Sequence, residues 1–453
     1  MYKKLIPFVY LVCAACLVGN PLAMAATRTW DNEGGDNRWD NAVNWSANKI
    51  PTLADDVRIV LAGAAECLID SAVIAESKNV WVGYEGAAGD LRMTGGLFTP
   101  NNTHVGRASV GSFVLSDGTV NTTNLMHVGD DAGGFGTLTM SGGIMNLGNA
   151  EVDRQTLHIG RDGATGTVTV SGGVLNIGTL QVGNAVDSLG SLIVSGATIN
   201  VGAVGNTNAM NIANSGAKGT ATISDGVINV SGYLNVGNDA GPDNLIRSDA
   251  ILEMLGGTVN IGAIDTELDW RDLRIGHNEG VGVMNMSGGT VNISGDLIVG
   301  STNIQIIADP YQEIPHPGTG TLTMTGGFIS IPDANSVKIG TDGSTGLLEL
   351  FGGTIRAGAL EIGEPGSGGI MDIRAGTLIL DGDRREKVLA YIQAGLMTAY
   401  GGASGGEVRY DYDIANAGKT TVTAIPEPAT VLLLGLGGVA LIRRKRSSLH
   451  RLR

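Results

Sequence analysis

The chain has 453 residues, of which 71 are glycine and only 4% are aromatic, and its formal net charge is −15. A surface this acidic repels nucleic acid and other polyanions, which excludes them as partners, and it favours divalent cations or uncharged and basic polymers. A glycine content more than twice the usual one, together with few aromatic residues, is typical of a repetitive chain.

Residues 1–25 have the three regions of a secretory signal peptide. Two lysines precede an apolar core, Leu5–Val18, and small residues precede a cleavage site after Ala25. Acylation at Cys16 is the alternative, but the residue three positions before it is not the usual leucine. Removing the leader leaves a single cysteine, Cys67, so the sequence predicts an exported protein without a disulfide framework.

Residues 26–60 concentrate three of the five tryptophans ahead of the first repeat: Trp30, Trp39 and Trp45. Together with Pro51 and two aspartates they form a W…W…NW…P…DD pattern, which resembles the start of many exported bacterial β-solenoid proteins. The resemblance implies an N-terminal cap over the open end of a solenoid. Aromatic binding of carbohydrate is the alternative role for these side chains.

Residues 61–382 repeat the unit G-x-φ-x-φ-S-G-G-x-φ-N-φ-G-x-φ-x-φ-G, in which φ is apolar. The second glycine of the SGG step, or its equivalent, recurs at positions 96, 118, 143, 173, 197, 226, 257, 289, 327, 353 and 376. Within each unit the apolar residues alternate with polar ones, which is the pattern of short strands. Such a repeat must be interpreted before any single motif.

Three short strands separated by glycine corners bury their apolar faces only when copies stack on one another. The sequence therefore predicts an all-β protein, a right-handed parallel β-solenoid of about eleven coils and on the order of 50 Å long. This body is similar to autotransporter and adhesin solenoids. A β-propeller is the alternative, but its blades need longer repeats and usually carry aromatic signatures.

Two polar ladders are expected on the outside of the solenoid. One is an asparagine ladder, whose stacked amides would bond from coil to coil: Asn121, Asn146, Asn176, Asn200, Asn229, Asn260 and Asn292. The other is His104, His127 and His158, where two neighbouring imidazoles could share a zinc or copper ion. The outer two would lie about 9.6 Å apart, which is too far for one metal to bind all three. A solvated polar ladder is the alternative.

The repeats show no recognisable catalytic motif, so the sequence predicts neither an enzyme nor a resident cofactor. Acidic residues such as Asp130, Asp131 and Asp162 follow glycines and are interpreted as turn formers with at most weak calcium binding. Three or more carboxylates in one groove would instead favour a polysaccharide-active β-helix enzyme. Ice binding requires unbroken T-x-T ranks, but the ranks Thr137/Thr139 and Thr167/Thr169 are followed by Ser191/Ile193.

Residues 383–424 break the strand pattern and are interpreted as a C-terminal cap and linker. Asp383 and Glu386 have the spacing of a capping box at the start of a helix. A stripe of apolar residues, Val388, Leu389, Ile392 and Leu396, then predicts a lid helix that covers the end of the solenoid.

Residues 425–453 have three consecutive parts. Pro426, Glu427 and Pro428 precede an uncharged stretch of 14 residues, 429–442, and a basic cluster follows: Arg443, Arg444, Lys445 and Arg446. A short hydrophobic helix is expected, but a stable membrane span needs about 20 residues. The order and position of these parts resemble a PEP-CTERM sorting signal, which also goes under the label "ice-binding protein, C-terminal".

The resemblance implies recognition by an exosortase after Sec export, with cleavage near Pro426–Pro428 and transient insertion in the inner membrane of a Gram-negative bacterium. The mature protein would then lie on the cell surface or in the extracellular matrix, associated with exopolysaccharide. Losing the two lysines of the leader gives a net charge of −17, and losing the six basic residues after Ile442 gives −23. A weak permanent anchor is the alternative.

Overall fold

The computed structural model describes residues 25–148, 156–202, 209–240, 246–262, 271–308, 311–363, 368–402 and 405–427. The first strands are β1 (Thr27–Trp30), β2 (Asp56–Ile59), β3 (Cys67–Ile69), β4 (Ile74–Tyr84), β5 (Gly89–Arg107), β6 (Val110–Thr122), β7 (Met126–Asp130), β8 (Phe135–Met140), β9 (Ile144–Leu147), β10 (Thr156–Arg161) and β11 (Thr165–Val170). The central strands are β12 (Val174–Ile177), β13 (Thr179–Asn184), β14 (Leu189–Val201), β15 (Met210–Asn214), β16 (Lys218–Val230), β17 (Leu234–Asn238), β18 (Asp249–Met254), β19 (Thr258–Ile261), β20 (Leu273–His277), β21 (Val281–Met286) and β22 (Thr290–Ile293).

The last strands are β23 (Leu297–Ala308), β24 (Tyr311–Pro317), β25 (Thr319–Ser330), β26 (Ser336–Ile339), β27 (Thr345–Ala357), β28 (Ala359–Ile362), β29 (Gly368–Ile373), β30 (Thr377–Asp381), β31 (Met397–Ala399), β32 (Gly406–Tyr412) and β33 (Lys419–Pro426). One α-helix, α1 (Arg385–Gln393), lies between β30 and β31. Short 3-10 turns occupy Ala42–Asn44, Ser46–Asn48 and Gly63–Ala65.

The repeats wind into a parallel β-solenoid with three ladders of strands. The first ladder includes β8, β11 and β18, the second includes β9, β12 and β19, and the third includes β7, β10 and β13. Long strands pass through corners, so that β16 contributes to two ladders and β5 contributes to all three. Strand β23 begins in this pattern, paired with β20 and β26, and its second half then forms an antiparallel hairpin with β24.

The core is one continuous column of inward-facing side chains, from Trp30 to Val422. Val168 and Val170 are fully buried, whereas Thr167 and Thr169, which alternate with them, face outward. The SGG corners provide the conformation that winding requires, since Gly173 has φ +82° and a Cβ there would lie 2.4 Å from the carbonyl oxygen of Gly143. The predicted alternation and the parallel stacking are thereby confirmed.

The structure has about 13 turns, rather than the eleven predicted. The two extra turns lie at the ends of the first ladder, where β3 pairs with β5 and β31 pairs with β29. Neither β3 nor β31 is followed by the SGG corner on which the sequence count depended, which is why the prediction missed both. At about 4.8 Å per turn, the stack is on the order of 60 Å long.

The three N-terminal tryptophans belong to the core. Trp39 and Trp45 are fully buried and Trp30 is 1% exposed, so none offers a ring surface for stacking on a sugar. Trp39 contacts Phe98 at 5.4 Å between ring centroids, and the indole N–H of Trp45 donates to the carbonyl oxygen of Trp39 at 2.7 Å. These contacts fasten the segment before β2 to the first turns of the solenoid.

The C-terminal helix differs from the predicted lid. Val388 is buried, but Leu389 is 41% exposed because a helix of nine residues presents only a narrow face to the solenoid. The capping box is also absent from this described segment: the N-cap is Arg384, without a side-chain cap, and Asp383 instead accepts from the backbone N–H of Arg385 at 3.2 Å. Strand β33 then pairs antiparallel with both β30 and β32.

Candidate functional site

The Pro-Glu-Pro segment begins inside the folded body. Pro426 is the last residue of β33 and pairs with Gly406, and the N–H of Glu427 donates to the carbonyl oxygen of Gly405 at 3.3 Å. The backbone at Pro426 and Glu427 is therefore paired, because the hairpin of β32 and β33 extends beyond residue 424, where the sequence placed the end of the C-terminal cap and linker. Pro428 and the basic cluster (Arg443, Arg444, Lys445 and Arg446) lie outside the described residues, as does the 14-residue apolar stretch.

The asparagine ladder follows the second ladder of the solenoid. Each side-chain N–H group donates to the side-chain oxygen of the asparagine one turn before it, at 2.8–2.9 Å. The series joins Asn121, Asn146, Asn176, Asn200, Asn229, Asn260 and Asn292. The amides therefore supply a continuous side-chain connection across seven turns.

Sequence reasoning missed a second polar ladder near the N-terminal end. The side-chain N–H groups of Asn79, Asn102 and Asn124 donate to Asp56, Asn79 and Asn102 in turn, at 2.6–2.8 Å. Asn79 and Asn102 lie within β4 and β5, where the third-ladder pairing begins, and Asn124 lies two residues before β7. Aligning the chain on the V-G steps would have brought Asn79 and Asn102 into register, whereas Asn124 stands one residue further from its glycine.

The histidines lie side by side at one position of the third ladder. His104 pairs with His127 and His127 pairs with His158 in the strand register, with 5.0 Å between ring centroids for each pair. Asp130 joins the first two: its Oδ2 accepts from Nδ1 of His104 at 2.8 Å, and its Oδ1 lies 3.2 Å from Nδ1 of His127. His158 does not reach this carboxylate, and its Nδ1 is buried with no partner in the described part of the chain.

Asp130 is therefore misplaced in the sequence-based interpretation, which grouped it with the corner acids. It is the last residue of β7, it is 3% exposed, and it faces the histidines. Asp131 and Asp162 do occupy corners, with φ +59° and +51°. We call His104, His127 and Asp130 the His–Asp cluster.

Two arginines flank the His–Asp cluster. Arg107 donates to Asp131 at 2.8 Å, and Arg161 pairs with Asp162 at 3.0 Å. Arg161 also reaches the imidazole of His127, with its terminal nitrogen 3.2 Å from Nε2. Three carboxylates and two guanidinium groups thus surround a pair of imidazoles at this corner.

The electrostatics of the cluster follow from burial and from these contacts. Burial alone would raise the pKa of Asp130, but the hydrogen bond with His104 and the nearby imidazole of His127 hold the pKa of this carboxyl well below its usual range. Burial lowers the pKa of His127, against the opposing effect of Asp130. Burial, reinforced by His127 and Arg161, lowers the pKa of His158 to about 3. At neutral pH the carboxyl of Asp130 is therefore ionised and the imidazole of His127 is neutral, which are the forms that bind metal ions.

The threonine ranks on the first ladder remain interrupted in the observed register. Thr167 and Thr169 pair with Thr137 and Thr139 on one side, but with Ser191 and Ile193 on the other. Further along, Ile251 and Glu253 occupy the two positions. The register observed in the described strands therefore has the same interruption as the sequence, and these positions form no regular threonine array.

The fold defines the protein as a parallel β-solenoid, and its C-terminal segment matches a known sorting motif. Residues 424–446 match the model of the PEP-CTERM protein-sorting motif. This motif implies export and exosortase-dependent sorting to the cell surface. No curated protein matches the chain, and no solved structure does. Within the residues that the structure covers, no helix is long and apolar enough to cross a membrane.

Proposed function

We propose that this protein is a non-enzymatic structural or adhesive element of the cell surface or extracellular matrix, associated with exopolysaccharide. In this proposal, residues 1–25 direct Sec export, residues 26–60 and 383–424 cap a right-handed solenoid, and an exosortase processes residues 425–453. The observation that carries the proposal is the PEP-CTERM match at residues 424–446, which begins within β33, the last strand described.

The asparagine ladder supports a structural role, because its side-chain hydrogen bonds connect successive turns along the outside of the solenoid. A rod with a net charge near −23 after processing stays dispersed through self-repulsion and associates with uncharged or basic polymers and divalent cations. The interior provides rigidity, since each turn packs on its neighbours through one continuous apolar column.

The hairpin sets the distance between the rod and the processing enzyme. Only Pro428 separates Glu427, which still bonds to Gly405, from the apolar stretch that starts at residue 429. The folded body would therefore stand directly against the membrane surface. The exosortase must act before the end of the hairpin closes, or must open its last pairs, because a paired strand does not fit an active site that binds extended backbone.

The test uses the full chain expressed in an exosortase-bearing bacterium and in the same strain without the exosortase. We expect mature protein that ends near Pro426–Pro428 in the first strain and an intact C-terminus in the second, measured by mass spectrometry. Glu427→Ala should reduce processing, whereas Glu407→Ala, an exposed acid on the opposite strand of the same hairpin, should not. Surface protein that retains residue 453 in both strains would remove the sorting proposal.

A second candidate is a polysaccharide-active enzyme, which the juxtaposition of Asp130, Asp131 and Asp162 favours. Oxygen atoms of these three carboxylates lie within 4.8 Å of one another. The lowered pKa of Asp130 weighs against this candidate, since a glycosidase acid needs a raised one. Incubation with neutral and acidic polysaccharides, followed by measurement of new reducing ends and unsaturated products, distinguishes the two. Activity that Asp162→Asn abolishes would replace the structural proposal.

A further inference from the structure

We propose that His104, His127 and Asp130 bind one divalent transition-metal ion, for which zinc is the best match. The site is separate from the sorting function, which needs no metal. It also differs from the histidine ladder suggested by the sequence, because a carboxylate replaces His158 as the third ligand.

The backbone register brings these ligands together. His104 and His127 occupy paired positions on neighbouring turns, and Asp130 follows His127 by three residues at the end of the same strand. One ligand atom from each residue can be chosen so that all three lie within 4.8 Å of one another. In a tetrahedral site with bonds of about 2.1 Å, ligand atoms are about 3.4 Å apart. Nδ1 of His104 lies 2.8 Å from Oδ2 of Asp130 and Nδ1 of His127 lies 3.2 Å from Oδ1, so each nitrogen is within about 0.6 Å of that separation from its own carboxylate oxygen. A rotation of the carboxylate would bring one oxygen within reach of both nitrogens.

The buried carboxylate of Asp130 does not have a hydrogen-bond donor for each of its oxygens. Asp130 is 3% exposed, and its Oδ1 has no well-aligned hydrogen bond from any described residue, although His127 lies 3.2 Å away. A buried oxygen that carries charge without a donor is costly. A bound cation would supply the missing partner, and one imidazole nitrogen each from His104 and His127 would complete a set of two nitrogens and one oxygen.

The donor set selects the class of metal. Calcium and magnesium prefer oxygen ligands alone, whereas imidazole suits zinc and other late first-row ions. Three protein ligands leave a fourth position for water or another small ligand. Metal binding here requires the proton on Nδ1 of each coordinating imidazole to move to Nε2 or to solvent, because Nδ1 faces Asp130.

Arg161 competes with the ion. Its terminal nitrogen lies 4.0 Å from Oδ1 of Asp130 and 3.2 Å from Nε2 of His127. In the metal-free protein it provides positive charge on the Oδ1 side, while Nε of Arg107 lies 3.8 Å from Oδ2. Its side chain is 34% exposed and has Asp162 as a second partner at 3.0 Å. The guanidinium group can therefore turn toward Asp162 and solvent when the ion binds.

The experiment titrates the full-length, metal-stripped protein with Zn²⁺ by calorimetry, and with Co²⁺ by absorption spectroscopy, which reports nitrogen ligation and coordination number. We expect one ion per chain. Asp130→Asn should weaken binding at least about 100-fold, and the matched charge change Asp131→Asn should weaken it less than about threefold. Arg161→Gln should tighten binding about tenfold by removing the competing cation.

His158→Asn separates this site from the ladder suggested by the sequence, since it should leave zinc affinity unchanged. His127→Asn provides a second loss-of-ligand variant, and circular dichroism of each metal-free variant establishes that it is folded. Equal losses in Asp130→Asn and Asp131→Asn would show a general charge effect and overturn the proposal. Loss of binding in His158→Asn, or no stoichiometric Zn²⁺ binding by the folded wild-type protein, would also overturn it, and neither result would affect the sorting test.

Discussion

Replacing Asn176 by alanine removes one rung from the middle of the asparagine ladder. Its side chain donates to Asn146 and accepts from Asn200, each at 2.8 Å. A hydrogen bond of this kind contributes about 1 kcal/mol net, so the substitution should destabilise the surrounding turns by about 2 kcal/mol. The half-buried position prevents a larger penalty, because water can reach the amides that lose their partner.

Asn292→Ala is the matched control, because Asn292 ends the ladder. It donates to Asn260 at 2.8 Å, its side chain is exposed, and the next turn has Ser330 in its place. The same change in strand propensity accompanies both substitutions. We therefore expect a destabilisation of about 1 kcal/mol or less at this position.

Hydrogen exchange measured by mass spectrometry is the suitable assay, since long repeat proteins open locally and a single unfolding energy does not describe them. In Asn176→Ala, exchange should accelerate about 30-fold in β9, β12 and the second half of β14, which is the factor that 2 kcal/mol gives. Asn292→Ala should accelerate exchange about fivefold or less in β19 and β22. Equal effects at the two positions, or unchanged exchange around Asn176, would refute the view that the ladder stabilises the turns.

Three further predictions concern the corners, pH and the cysteine. Gly129→Ala should destabilise the protein by at least about 2 kcal/mol more than Gly133→Ala, as measured by denaturant titration. Both residues have positive φ, +75° and +81°, so the two substitutions cause similar backbone strain. Only at Gly129 would a Cβ also meet the backbone of the next turn, at 2.2 Å. Burial lowers the pKa of His277 to about 4, from an ordinary value of 6.5. The unfolded chain therefore takes up the proton first, and stability should fall by up to about 3 kcal/mol as pH drops from 6.5 to 4. His277→Asn, which copies Asn238 of the preceding turn, should remove this part of the pH dependence, and an unchanged pH profile would contradict the assignment. Cys67 is fully buried, and burial raises the pKa of its thiol. It should therefore react with thiol reagents only after unfolding. Rapid labelling of the native protein would show that the first turn is open.

The winding of the chain could be predicted because each turn repeats the same physical requirements. Alternating residues such as Val168 and Thr169 identify strands, and the double glycine marks a corner that other residues reach only with strain. The end turns were missed because β3 and β31 form through pairing with a neighbouring turn rather than through a corner motif of their own.

The His–Asp cluster could be predicted only in part. The register of His104 and His127 follows from the repeat, but Asp130 follows a V-G step and looks like the corner acid beside it. Asp130 belongs to the strand because the residue before it, Gly129, has φ +75° and allows β7 to continue by one residue. The positions of Arg107 and Arg161 depend on side-chain conformations, which the sequence does not specify.

The reversed direction of β33 determines how long the rod can become. Stacked parallel turns are an open template, on which a second molecule could in principle continue the second ladder and build a fibre. Because β33 pairs antiparallel with β30 on one side and with β32 on the other, it occupies the edge of β30 on which a further parallel turn would have to pair. Along that edge, the length of the rod is therefore set by the number of turns in the chain and not by polymerisation. The same strand, β33, also leads to the segment where the molecule would be released from its C-terminal tail.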